Sequence, residues 1–437
     1  MPISSSLWIA LALALSSLWI HADLDEDTTS LLEPQQHRCY VPSKNGLLWL
    51  LNELGPDGPV LTDAHDKAMN ALLKSGKLDD AMVQEITPLV PKLRQLSLKA
   101  LEMPYWQSKW RASLSDGIDE VFEHPAVNQM VKVLAVNVVV EARAGRWDAA
   151  IKDFKLLDRL GCQFRNHASD GLECLMGAIV SHRLDQVVAA FIQIPDTPSG
   201  VLKELAAELD ANPYLMTGWQ ESLRHEFRLR RLQCTGIHNL DEYWVRFAQP
   251  VHEKPKHDFP PKDVKAINDH FSYFYDEKKT LALLETRYSQ MVQMADEAFT
   301  TEGHPSFHFK DGLKRPIEDW SFPNALGTGL VVYFPTNEKA LKLILRRRSC
   351  HTMMRTALAV ELYRRAQGKL PERLEDLIPR YHQSLPKDSL DGAVISYDAN
   401  QGLLYTAGEK LQRDPPAIPE TPGLKLADSG DVFRFTK

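Results

Sequence analysis

The sequence lacks the short motifs by which common enzyme families are identified. It contains no GxGxxG, GxxxxGK[ST] or GxSxG stretch and no CxxC pair. This argues against a dinucleotide-binding turn, a phosphate loop, a nucleophile elbow and a thiol redox or zinc motif. His225 and Glu226 begin like a zinc-protease helix, but Leu229 stands where the second histidine ligand would be. The motifs therefore predict no catalytic residue, no cofactor and no metal, and we expect the His225 helix to present an exposed charged face.

An excess of positive charge is also missing. The 437 residues carry a net charge of −7, with 44% hydrophobic and 25% charged residues. Proteins that bind nucleic acid usually have a basic excess or a basic face, so we expect no nucleic-acid partner. The composition is that of a folded globular protein, and the length suffices for about two or three domains.

Cysteine is scarce and odd in number. The five cysteines are Cys39, Cys162, Cys174, Cys234 and Cys350. An odd count leaves at least one thiol outside any intrachain pair. Cys162 and Cys174 flank a predicted connection between helices, so they are the pair best placed for a disulfide if the chain is exported. Buried thiols are the default expectation for all five.

Long hydrophobic runs are missing except near the N-terminus. Leu7 to Ile20 is uncharged and apolar over 14 residues, and charges begin at Asp23. Such a helix is about 21 Å long, short of the ~30 Å hydrocarbon core, so residues 1–22 are predicted to be a signal peptide. Because MPISSS contains no Lys or Arg, an uncleaved anchor is the alternative. In both cases we expect an exported, periplasmic or otherwise extracytoplasmic protein, soluble or membrane-associated through this segment.

The rest of the chain is predicted to be mainly α-helical. Breakers such as LGPDGP indicate an irregular segment over 23–60, and apolar residues at 3-and-4 spacing predict an α-helical domain over 61–299. A loop or linker is predicted over 300–335. Residues 336–437 are predicted to form a long helix and a small α+β module, in which AVISYD and GLLYTAG form a hairpin and DVFRFTK adds a short strand.

One helical hairpin is predicted between Met130 and Gly161. Val131, Leu134 and their neighbours form an apolar helix face, and Gly145 ends the first helix. The stretch GRWDAAIKDF resembles the turn of a tetratricopeptide-type hairpin, in which a glycine lets two helices approach closely. A repeat array needs several copies, and only one occurs here. We therefore expect a stack of helical hairpins that is tetratricopeptide-like in one unit.

The predicted linker holds the candidates for metal or hydrolytic chemistry. Glu302, His304 and His308 lie close together in sequence, and imidazole and carboxylate groups are metal ligands. Solvated loop histidines are the commoner explanation for such a group. Together with Asp311 these histidines define the alternative function, a hydrolase-type enzyme with its site in the 300–329 region.

Two further groups have a chemical and a structural interpretation. In LRRRSCH, three arginines precede Cys350 and His351. Adjacent residues on a helix point away from one another, so we predict a solvated basic patch and not an activated Cys–His pair. Asp388 and Asp391 could offer oxygen ligands to calcium, but the preferred interpretation is an Asp-rich turn that satisfies its own backbone.

The C-terminal region from RTALAVELYRRAQG to AVISYD resembles the part of type II secretion G-type pseudopilins that follows their helix. LLYTAGEK is similar to the strand of that family which ends in Ser/Thr-x-Gly. The positions that match the family pattern are Tyr363, Gly368, Pro371, Leu374, Leu377, Pro386, Asp388, Gly392 and Tyr397. The resemblance implies a helix followed by a short leucine-spaced segment, a Pro-x-Asp turn and a small sheet.

The resemblance to pseudopilins does not extend to their function. In that family the helix is the membrane-spanning N-terminus, whereas here it is internal, and KALKLILRRRSCH is too charged to cross a bilayer. The calcium-binding Asp-Asp-Gly segment is replaced by LQRDPPA. Pilus assembly and calcium binding are therefore not expected.

A wider resemblance covers the chain from about Met103 onwards. It is similar to a group of uncharacterised exported proteins from planctomycete- and verrucomicrobia-like bacteria, through the EARAGRWDAA hairpin, the FPNALGTGLVVYFP linker and the pseudopilin-like end. This resemblance implies architecture and export and no particular chemistry. We expect a non-enzymatic envelope protein that binds a protein partner through its helical surfaces.

Overall fold

The computed structural model shows a mainly helical protein that ends in a small antiparallel sheet, as the sequence predicts at this level. The structure describes residues 32, 41–55, 58–59, 61–106, 124–168, 171–214, 217–247, 265, 267–300, 323–333, 338–407, 422–425 and 431–436. The N-terminal segment 1–22 and Cys39 lie outside this part of the chain.

The elements of the described residues are numbered here in chain order. The helices are α1 (Gly46–Leu54), α2 (Asp63–Ser75), α3 (Asp80–Ile86), α4 (Val90–Leu101), α5 (His124–Arg143), α6 (Trp147–His167), α7 (Gly171–Gln193), α8 (Ser199–Ala211), α9 (Thr217–Gln233), α10 (Leu240–Phe247), α11 (Phe271–Phe274), α12 (Glu277–Thr300), α13 (Ala325–Tyr333) and α14 (Glu338–Gln367). Short 3-10 helices cover Pro42–Lys44, Thr87–Leu89 and Leu374–Leu377. The strands are β1 (Ser396–Asp398), β2 (Leu403–Tyr405), β3 (Gly423–Lys425) and β4 (Val432–Arg434).

Two hydrophobic cores organise the molecule, and α14 belongs to both. The first core joins residues between 47 and 209 with residues between 350 and 435. The second core contains α9, α12 and α13 residues and Leu341 to Leu345 of α14. With 30 residues, α14 is about 45 Å long, which is enough to cross from one core to the other.

The hairpin of α5 and α6 lies at the centre of the first core. Val131, Leu134 and Val138 of α5 are fully buried, as are neighbours on the other sides of this helix, so α5 is a core helix and not a surface helix. Gly145 in the turn has φ +74°, and a Cβ there would meet no atom within 4 Å. The glycine is therefore required for the left-handed backbone of the turn and not, as the sequence suggested, for close approach of the helices.

The C-terminal sheet has the strand order β1-β2-β4-β3 and is antiparallel throughout. Ser396 pairs with Tyr405 across the predicted hairpin, which is confirmed. Leu404 pairs with Phe433, so the last predicted strand is confirmed too. The sequence missed β3 because it follows a proline-rich stretch and is only three residues long.

Two segments expected to be irregular contain helices. Within 23–60, α1 is capped by the buried Asn45, whose side chain accepts hydrogen bonds from Leu47 N and Leu48 N at 3.1 and 3.2 Å. Within 300–335, α13 packs on α12 because Gly327 has no side chain: a Cβ there would lie 1.8 Å from Thr280 Oγ1. Gly327 therefore serves close packing of α13 on α12.

One helix of the described residues, Glu173–Gln193 within α7, is long and apolar enough to cross a membrane. Most of it is buried inside the protein. Val180, Leu184 and Val187 belong to the first core, so its apolar composition is explained by packing against α5, α6 and α14.

Candidate functional site

An open groove lies between α8, the second half of α14 and the turn at 380–381. Its volume is about 470 Å³. The charged side chains that line it are Lys203, Asp210, Arg355, Arg365 and Arg380. The cations exceed the anion four to one, in a protein whose net charge is negative.

The helical repeat places these side chains on facing stripes. On α8, Ser199, Lys203 and Asp210 follow 3-and-4 spacing and face the groove. Val201, Leu202, Leu205 and Leu209 on the other face are buried in the first core. On α14, Arg355 and Leu362 form the opposite wall. Core packing of both helices therefore fixes the width of the groove.

Arg355 is the most constrained cation of the groove. Its Nε and Nη2 donate to the two carboxylate oxygens of Asp210 at 2.8 and 2.7 Å, and Nη2 also donates to the Tyr381 carbonyl at 3.1 Å. The Arg355 side chain is 13% exposed and that of Asp210 is 55% exposed. The arginine is therefore held by the fold, whereas its carboxylate partner faces solvent.

The other cations differ in how far they are neutralised. Arg365 donates to Glu361 at 2.6 Å and also to the Thr197 carbonyl. Arg380 is exposed and its guanidinium lies 5.4 Å from the centre of the Tyr381 ring. Lys203 is exposed on the first half of α8. With Asp210 and Glu361 counted, the groove retains a positive excess.

A cluster of buried polar side chains lies next to the groove, on α14 and after the end of α8. His351 lies one helical turn before Arg355 on α14, and Tyr214 follows the end of α8. The rings of Tyr214 and His351 are 5.9 Å apart, and His351 Nδ1 lies 3.6 Å from Asp185 Oδ1. All three side chains are buried.

A second buried pair lies beside the first. Arg165 Nη2 is 3.9 Å from Asp158 Oδ1, and Arg165 Nη1 donates to Ser181 Oγ at 2.7 Å. The Arg165 guanidinium also lies 5.0 Å from the centre of the Tyr214 ring. We call Asp158, Arg165, Asp185, Tyr214 and His351 the buried cluster.

The carboxylates of the buried cluster are only partly compensated. Burial raises the pKa of Asp158, although Arg165 opposes the shift, and burial raises the pKa of Asp185 in the same way against the influence of His351. Among the described residues, both oxygens of Asp158 and Oδ2 of Asp185 have no hydrogen-bond partner. Buried groups that are only partly compensated are enriched at functional sites.

The solvated basic patch predicted in LRRRSCH is wrong for Arg346, whereas Arg347 and Arg348 are half-exposed. Arg346 is buried and donates to Asp431 at 2.7 Å, and Arg347 lies 3.3 Å from His182 Nδ1. Contacts of α14 with α7 and with the C-terminal residues bury part of this face. Cys350 is fully buried, and burial raises the pKa of its thiol, which disfavours the reactive thiolate.

Asp388 and Asp391 accept backbone N–H groups, as the turn interpretation predicts. Asp388 accepts from Leu390 N at 2.9 Å and Ala407 N at 2.6 Å, and Asp391 accepts from Ala393 N at 3.0 Å. Within the part of the chain that the structure describes, no group of three His, Cys, Asp or Glu side chains could hold a metal ion.

The helix that begins like a zinc-protease motif is more buried than expected. His225 is buried and its Nε2 lies 3.3 Å from Glu221 Oε1, and Arg224 and Arg230 are buried as well. The exposed charged face predicted from the sequence is therefore wrong, because α9 packs against α12 and α7 and its charges pair along the helix.

The remaining candidates are the linker residues and the cysteine pair Cys162 and Cys174. Glu302, His304, His308 and Asp311 lie outside the described residues. Cys162 and Cys174 are not joined by a disulfide, and Cys162 Sγ lies 3.1 Å from Arg165 Nη2.

Sequence reasoning missed both the groove and the buried cluster. One signal was present: Asp158 occupies the stripe of α6 that also holds Phe154 and Gly161, where an apolar residue is expected. No signal in the sequence could bring α8 beside α14, because these helices are far apart along the chain.

Comparisons with known proteins give no match to any protein-family model, to any curated protein or to any solved structure.

Proposed function

We propose that this chain is an exported envelope protein that works by binding and not by catalysis, and that its groove takes an acidic segment of a protein partner. The observation that carries this proposal is the positive excess of the groove, where four cations face one exposed carboxylate. Charge complementarity of this kind fixes the register of a partner and speeds association.

A binding role fits the chemistry of the surrounding groups. The groove combines charge with an aromatic and an aliphatic surface, Tyr381 and Leu362, which suits a peptide that carries acidic and apolar residues. Cys350, on the same helix as Arg355, is buried, and its pKa is raised, so it is poorly suited to nucleophilic attack.

Export and the finer architecture are part of the same proposal. The apolar run Leu7 to Ile20 supports a signal peptide or anchor. The α5–α6 hairpin supports one tetratricopeptide-like unit. The helix end at Gly368, the 3-10 turn at Leu374–Leu377 and the antiparallel sheet support a pseudopilin-like module. Recovery of the full-length chain from the cytosol, by fractionation and N-terminal sequencing, would contradict export.

Charge reversal in the groove tests the binding proposal. We expect the double variant K203E/R380E to bind a fluorescein-labelled peptide that contains glutamate and leucine about tenfold more weakly than the wild type. The reason is that the attraction of Lys203 and Arg380 for the peptide's carboxylates becomes repulsion. Fluorescence anisotropy at low salt measures this, and added salt should weaken wild-type binding.

The matched control reverses two exposed lysines elsewhere, in K67E/K92E, which lie on α2 and α4. It changes the net charge by the same amount. Equal weakening by both double variants, or no weakening by K203E/R380E, would refute the groove as the binding surface.

A further inference from the structure

The carboxylate of Asp210 occupies the position at Arg355 that an acidic ligand would take. Arginine recognises a carboxylate best through two parallel hydrogen bonds, and in this structure both go to Asp210 at 2.8 and 2.7 Å. The most buried cation of the groove is therefore already paired with a group of this chain.

Asp210 is weakly held in this position. Its side chain is 55% exposed, so release would cost little desolvation or packing energy. It also lies in the last turn of α8, where the helix dipole disfavours a negative charge. Arg355 is fixed in contrast, by burial and by the Tyr381 carbonyl.

Arg355 has further capacity for an incoming ligand. Its Nη1 is buried and has no acceptor among the described residues. Nearby, His382 Nε2 is also buried without a partner in this part of the chain. Burial, reinforced by Arg355, lowers the pKa of His382, so this ring is neutral near neutral pH and can offer one hydrogen bond.

We propose that Asp210 is an internal competitor: a carboxylate of the ligand displaces it from Arg355, and Asp210 turns into solvent. This inference rests on the proposed function and names the chemical group of the ligand that Arg355 would bind. The carboxylate can belong to an Asp or Glu side chain or to a C-terminus, since both offer the same two oxygens. Displacement exchanges one bidentate pair for another, and Lys203 and Arg380 then favour the ligand.

The test uses the full chain and two labelled peptides. One carries internal glutamates and an amidated C-terminus, and the other has no acidic side chain and a free C-terminus. We expect D210N to bind the preferred peptide about two- to fivefold more tightly than the wild type, since it removes the competing charge of one exposed pair. The peptide that shows this gain identifies the source of the carboxylate.

Two controls separate competition from general electrostatics. E204Q removes the same charge from the same helix and breaks the exposed Lys155–Glu204 pair, but Glu204 does not line the groove, so its affinity should equal that of the wild type. R355K cannot form the bidentate pair. We therefore expect D210N/R355K to bind no more tightly than R355K alone.

The outcomes are distinguishable. If wild type binds and D210N is no tighter, or if E204Q is equally tighter, the competitor is refuted while groove binding stands. If D210N also raises affinity in the R355K background, the competitor proposal is refuted, because the gain in affinity then comes only from long-range electrostatics. If no variant binds either peptide, both proposals fail. Thermal melts of each variant verify folding, and the D210N–E204Q comparison does not depend on R355K.

Discussion

Buried carboxylates distinguish the interior of this protein at the scale of single residues. On α6, Asp153 is buried and fully compensated: Arg94 donates to both of its oxygens at 2.7 Å, and Asn137 adds a bond at 2.8 Å. Asp158, five positions later, is equally buried, but Arg165 approaches only to 3.9 Å. One helix thus carries a carboxylate that stabilises the fold and another that costs stability.

This contrast predicts opposite effects of two matched substitutions. Burial raises the pKa of Asp158 in the folded protein. The protonated Asp158 side chain therefore favours folding below the ordinary pKa of about 3.9, and this contribution is lost as pH rises through the raised pKa of the folded state. D158N should therefore melt higher than the wild type at neutral pH, with a gain that shrinks as the pH falls. Calorimetric melting temperatures across this range measure it.

D153N is the control on the same helix. It weakens a satisfied buried network, so we expect a loss of about 1–3 kcal/mol at neutral pH. A D158N protein that melts lower than the wild type at neutral pH, or whose difference from it does not change with pH, would contradict the assignment of Asp158 as a poorly compensated charge.

At the scale of elements, Asp388 connects three pieces of the C-terminal module. Its carboxylate accepts from Ser349 Oγ of α14 at 2.6 Å, from Leu390 N in its own turn at 2.9 Å and from Ala407 N beyond β2 at 2.6 Å. A turn that the sequence presented as locally satisfied therefore also ties the long helix to the sheet.

We predict that D388N lowers the free energy of unfolding by about 2–4 kcal/mol, since a buried acceptor of charge-assisted bonds becomes a weaker one with a misplaced donor. D391N, in the same turn, should cost less than about 1 kcal/mol, because Asp391 is partly exposed. Urea denaturation followed by circular dichroism compares them. Equal losses would show that Asp388 acts only within its turn.

The whole molecule depends on α14, which contributes side chains to both cores. Leu345 is fully buried in the second core and Leu358 in the first. A rigid helix that spans both cores couples their unfolding, because neither core can open without losing part of its helix.

L345A tests this coupling. We expect it to cost about 2–5 kcal/mol and to speed amide hydrogen exchange in α6 and α7 of the first core as well as in α9 and α12 of the second. L358A should produce the same pattern from the other end. Faster exchange confined to the core that carries the substitution would show that the two cores unfold independently.

Part of this architecture was predictable from local sequence. The end of α14 and the β1–β2 hairpin were found because Gly368 and the alternating apolar residues act over short distances. The helices α1 and α13 were missed because the glycines within them and the prolines beside them look like loop signals until the packing partner is known. The buried arginine Arg346 was misjudged for a similar reason.

By itself the sequence determined the helical class, the hairpin of α5 and α6, the terminal sheet and the turn at Asp388, since each depends on residues a few positions apart. Only the tertiary structure decided which charges are buried and which meet. Arg355 and Asp210 are far apart in the chain, as are Asp185 and His351. The burial of apolar helix faces brings them together, and the polar residues themselves carry no signal of it.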